Sequence, residues 1–115
     1  MSFTVKLGAE IIGITELEGG DAPMGVAFGR LTPTPMYSQV KAQHAIHEEI
    51  GGAIPGLTVE DSTGTKLECS GGVQIADYSE KLGEDGLQVF VYGIPYPRYE
   101  ELFPHHVEAY RKQFS

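Results

Sequence analysis

An α+β fold is what this sequence predicts: a mostly antiparallel sheet of about six strands with two helices packed on it, in the order β-β-α-β-β-β-β-α. Three observations carry that reading. Short segments with a two-residue apolar period recur along the chain, joined by connections too short for parallel crossovers. Two other segments, one mid-chain and one at the end, carry the three- and four-residue apolar steps of amphipathic helices. The 115 residues suffice for one domain, 1–115, and an apolar share of 41% with 21% charged residues is ordinary for a packed core.

The first segment, FTVKLGAEIIGITELE, reads as a strand in which Phe3, Val5, Leu7, Ala9 and Ile11 share one face. Around Ile11, Ile12 and Ile14 both faces become apolar, and Gly8 and Gly13 are sites for a bulge or bend. EGGD at 18–21 signals a turn, and MGVAFGRL at 24–31 reads as the returning strand, with Met24, Val26 and Phe28 together. Thr-Pro-Thr-Pro at 32–35 stops it, since proline favours extended geometry before it and the first helical turn after it. A helix is expected from about Pro35 to Ile50, with Thr34 as its cap, Gly51-Gly52 as its end and Met36, Val40, Ala42, Ile46 and Ile50 as its apolar stripe.

Short strands follow. LTVED at 57–61 is expected to pair with TKLEC at 65–69, then come VQIADY at 73–78 and LQVFVYG at 87–93. The last is apolar on both faces, which places it centrally in the sheet. In the closing segment Tyr99, Leu102, Phe103, Val107, Tyr110 and Phe114 recur at helical spacing, and Pro104 divides it into a short helical turn and a helix. The second apolar faces near 11–14 and 87–93 need cover, from a homodimer or from a sheet curved around its own core.

The net charge is −8, with acidic residues spread along the chain, so a phosphate backbone is repelled and nucleic-acid binding is disfavoured. Cys69 is the lone cysteine. A fold without an internal disulfide suits a reducing compartment. No secretory signal or membrane-length apolar run is apparent, and a cytoplasmic protein without membrane contact is expected.

Candidate chemistry is sparse. In AQHAIHEE, His44 and Glu48 are i,i+4 neighbours, but the order is not the zinc-protease H-E-x-x-H, and His47 and Glu48 point about 100° apart on a helix. His44 with Glu48 is read as a surface pair and a candidate ligand-binding pair. His47 and His106 are read as packing residues on the two helices, with His105 pointing elsewhere. No complete metal-ligand spacing is present, so neither metal nor cofactor is expected. Cys69 shares a strand face with Leu67 and reads as an inert thiol, and the glycines match no phosphate loop. No nucleophile–base–orienter set can be assembled, which weighs against an enzyme.

The most distinctive composition is YGIPYPRYEELF, 92–103, rich in the tyrosine and arginine that anchor protein partners. Tyr96, Arg98 and Tyr99 are its candidate binding residues. The function expected is a small acidic interaction module that regulates or neutralises a protein partner. The alternatives are a small-ligand binder or enzyme with a histidine–carboxylate pocket between the helices, and a purely structural subunit.

Overall fold

A computed structural model describes residues 2–44, 56–78 and 82–113. Among the described residues there are seven strands: β1 (Phe3–Leu7), β2 (Glu10–Thr15), β3 (Gly19–Asp21), β4 (Val26–Pro33), β5 (Leu57–Glu60), β6 (Gly72–Asp77) and β7 (Leu87–Tyr92). The helices are α1 (Tyr37–His44), α2 (Arg98–Leu102) and α3 (Pro104–Gln113), with single 3-10 turns at Ala22–Met24 and Gly83–Gly86. Every pairing among these strands is antiparallel, in the spatial order β5-β1-β2-β4-β7-β6, with β3 beside β4. The expected α+β class holds. The sheet also curls, so that the end strands β5 and β6 come within 8 Å of each other between Cα atoms.

The order of elements differs from expectation in three places. The first segment is a hairpin, not one strand, because Gly8 turns the chain at φ +62°, a conformation that costs a residue with a Cβ about 1 kcal/mol or more. Residues 19–21, read as a turn, form β3. The segment 65–69 is not a regular strand. It keeps one bridge, Lys66 to Glu60, and the Leu67 N–H donates to the Val59 carbonyl at 2.8 Å. Asp61 Oδ1 accepts the Thr63 and Thr65 N–H groups at 2.9 and 3.0 Å, which bends the backbone there into a local turn.

Two register shifts decide which side chains face inward. Val5 lies opposite Gly13 but Lys6 lies opposite Ile11, so Ile12 is an extra residue in β2. A one-residue bulge reverses the alternation beyond it. Ile12 is therefore fully buried, while Ile11 and Ile14 are each 46% exposed. The expected inward placement of Ile11 fails for that reason. The second shift lies between Thr15, opposite Leu31, and Gly19, opposite Phe28. Four steps along one chain match three along β4, leaving one residue over. Leu17 takes up the excess at φ +46° and inserts, fully buried, into the core. Its N–H donates to Thr15 Oγ1 at 3.1 Å, and the Glu18 carboxylate accepts the Arg30 N–H at 2.7 Å, between the stretches of β4 that pair with β2 and with β3.

The core fills the inside of the curl, with Phe3 and Val5 from β1, Leu31 from β4, Val59 from β5, and Val89 and Val91 from β7. β7 lies between β4 and β6, as its two apolar faces predict. α2 and α3 close part of the core: Phe103 meets Phe3 with ring centroids 5.5 Å apart and stacks on His106 at 5.0 Å. The break at Pro104 is where the sequence puts it. Proline disfavours helical geometry in the residue before it, and Phe103 sits at φ −128°, ψ 56°. α1 is held by Tyr37 Oη, which donates to Asp77 Oδ2 at 2.7 Å, and by Lys41 Nζ at 3.0 Å from the same oxygen. Tyr37 was not in the predicted stripe. Of that stripe, Val40 is buried and Met36 packs against the core.

Leu17→Ala will remove a wholly buried side chain from the bulge and lower unfolding stability by about 2–5 kcal/mol, read as a drop in the urea midpoint. An unchanged midpoint would show that the bulge does not anchor the core.

Candidate functional site

The functional surface is built where the turn at 22–24 meets the segment 92–99. Gly25 follows the turn at φ +66°, and a Cβ there would meet the Ile94 carbonyl oxygen at 2.6 Å. That close approach lets the Ile94 N–H donate to the Gly25 carbonyl at 2.9 Å. Two tyrosines add to the grip. Tyr96 Oη donates to the Ala22 carbonyl at 2.8 Å, and Tyr99 Oη donates to the Val26 carbonyl at 2.8 Å. Each ring thus contributes apolar area while its hydroxyl satisfies a backbone acceptor.

The two tyrosines have different fates. Tyr99 is fully buried, between Tyr96 and Phe103 at centroid distances of 5.5 and 5.2 Å. Burial pushes its phenol well above the usual tyrosine range. Tyr96 stays 49% exposed. Its phenol is raised first by partial burial and then by Glu100, with Arg111 opposing. Met24, in the turn whose Ala22 carbonyl holds Tyr96, is 68% exposed. Tyr110 of α3 is 41% exposed and lines, with Ala22, a cleft of about 500 Å³ that also includes Glu18, Asp21 and His106. Met24, Tyr96 and Tyr110 therefore border the same turn.

Arg98 is committed elsewhere. Its Nη2 lies 2.8 Å from Asp61 Oδ2 and its Nη1 lies 3.6 Å from Glu101. The Asp61 carboxyl is held below the usual aspartate range, first by the Thr63 hydroxyl at 2.6 Å, then by the Thr65 N–H, with Arg98 adding a smaller pull. Arg98 thus ties the start of α2 to the turn after β5. His44 ends α1, its side chain lies outside the described residues, and so do His47 and Glu48. The expected contact between His47 and His106 lies outside them too. His106 is buried and its Nε2 lies 2.9 Å from the Leu17 carbonyl. A carbonyl only accepts, so that nitrogen carries the proton. Burial holds the imidazole below its ordinary pKa, with the Leu17 carbonyl opposing. His105 is exposed beside it.

Among the described residues no group of three or more His, Cys, Asp and Glu could hold a metal, and no helix is long and apolar enough to cross a membrane. A second cleft, about 870 Å³, borders Leu57, Leu67, Cys69 and Pro95. Burial pushes the Cys69 thiol up, against the pull of Lys66, so the nucleophilic thiolate is disfavoured. Met24 and Tyr110 were not singled out from the sequence. Met24 was read as strand and Tyr110 as part of a buried stripe. Pro23 and Gly25 bracket Met24, and that pairing was the available sign of an exposed turn.

The depressed Asp61 carboxyl fixes a sign. Its contribution to stability is complete above the ordinary aspartate pKa of about 3.9 and is lost as pH falls through the lowered native value. Acid titration of melting temperature should therefore fall more steeply for wild type than for Asp61→Asn below about pH 4; superimposable acid limbs would remove this anchoring role from Arg98 and Asp61.

Compared with known protein families, characterised proteins and solved structures, the chain matches none.

Proposed function

We propose that this protein is a small acidic interaction module that binds, and so regulates or neutralises, a protein partner through the surface around Met24, Tyr96 and Tyr110. The observation that supports it most is the pairing of large exposed apolar groups with a fixed support. Met24 and Tyr96 are 68% and 49% exposed, yet Met24 stands on a turn, and Tyr96 on the segment that grips it, joined by the Gly25, Ile94, Tyr96 and Tyr99 hydrogen bonds. Tyrosine and methionine are enriched in interface cores, and a surface already ordered loses less entropy when a partner docks. Arg98 supports this surface from the side by holding α2. A cytoplasmic setting agrees with a fold whose lone cysteine is a free thiol. A homodimer would cover Ile11 and Ile14, a different face from the one proposed.

The test is affinity capture with the intact protein, comparing wild type with Met24→Asp/Tyr96→Ala. Loss of one or more specific partners, with melting temperature kept within a few degrees, is the expected outcome. Identical partner sets would dismiss the surface.

Small-ligand binding is the second reading, and one observation favours it: the cleft beside Cys69 falls within the roughly 300–1,000 Å³ typical of ligand pockets. A thermal-shift screen of metabolite classes should then show saturable stabilisation with at least one compound that slows maleimide labelling of Cys69. Failure of every class to do both would retire this reading.

A further inference from the structure

We infer that the partner segment seated on the Met24–Tyr96–Tyr110 surface is basic and amphipathic, presenting apolar side chains beside lysines or arginines. This rests on the interaction reading above and names the chemistry of the occupant.

The apolar area supplies the place and the charges around it select the guest. Asp21 is exposed and immediately precedes the Ala22 turn. Glu18 and Asp21 line the cleft of about 500 Å³ that Ala22 and Tyr110 share. Glu100 acts electrostatically on the Tyr96 phenol. From Glu18 another cleft, distinct from the one beside Cys69, continues past Glu16, Phe28 and Asp85. The described cations along this path are already held by carboxylates: Arg111 by Glu100 at 3.7 Å and Arg30 by Asp85 at 2.9 Å. The balance is negative, in a chain whose net charge is −8.

Three occupants separate on that basis. A second copy would bring the same negative rim against itself, and like charges face to face are disfavoured. A nucleic acid would bring phosphates. A basic amphipathic segment places apolar side chains over Met24 and Tyr96 while an ammonium or guanidinium enters the cleft between Asp21 and Tyr110. There it meets a carboxylate and an aromatic ring at once.

The probe is a short fluorescein-labelled peptide of leucine and lysine, written to be amphipathic as a helix. Its controls are the same peptide with glutamate for lysine, and one keeping lysine but with serine for leucine. Anisotropy is read with the full chain at low and at ~0.15 M salt. The leucine–lysine peptide should bind, and both controls should not. Asp21→Asn/Glu100→Gln should weaken it roughly threefold to tenfold and flatten its salt dependence. Met24→Ala should weaken it as well, while Glu10→Gln/Glu68→Gln, outside the surface, should leave it unchanged. Equal binding of the glutamate peptide would overturn the charge selection while leaving the interaction reading to the capture experiment. Equal weakening by the two double variants would reduce the effect to bulk charge and overturn the proposal, as would no binding at all.

Discussion

One surplus residue between Thr15 and Gly19 is the constraint on which the rest of the fold depends. β4 is shared along one edge by two partners, β2 at its end and β3 at its beginning. The two registers differ by one position, so the chain must bulge where they meet. Leu17 absorbs the difference in a left-handed conformation that costs roughly 1 kcal/mol, and burying its side chain offsets this by roughly 1.5–3 kcal/mol. The bulge also leaves polar groups that must be satisfied. Glu18 caps the Arg30 N–H, and the Leu17 carbonyl meets His106. The latter contact brings α3 against the start of β3, so the helix position follows from the register shift.

The exposed turn inherits its rigidity from that corner. β3 runs directly into Ala22–Met24, and the segment leaving β7 takes hold of three backbone acceptors in and just after that turn: Ala22, Gly25 and Val26. Backbone carbonyls at a turn normally bond to water. Here two phenols and one amide occupy them, which removes the turn's freedom and leaves Met24 projecting from a fixed base. Tyrosine suits this task because a long ring can reach across the surface and still end in a donor. Arg98 acts at the far side of the same segment. Its ion pair with Asp61 couples the start of α2 to the loop after β5, so both ends of the aromatic connector are tied down.

Much of the architecture was legible from local pattern. The β7 run, apolar on both faces, declared a central strand, and Pro104 declared the break between α2 and α3, because both depend on properties carried by the residues themselves. The aromatic connector at 92–99 was also visible as unusual composition. Its internal division was not. Tyr96 and Tyr99 are the same residue type three positions apart, and only the packing of Phe103 and the Val26 carbonyl assigns one to the interior and the other to the surface.

The sequence by itself determined the class of fold, the antiparallel pairing, the two helical segments around Pro104 and the negative charge of the surface, since these follow from periodicity, proline geometry and ionisable side chains. Tertiary structure alone decided the bulge at Leu17, the outward turn of Ile11 and the commitment of Arg98 to Asp61. A bulge is a mismatch between registers on two different strands. No single strand records it, because hydrogen-bond register is a property of the pair.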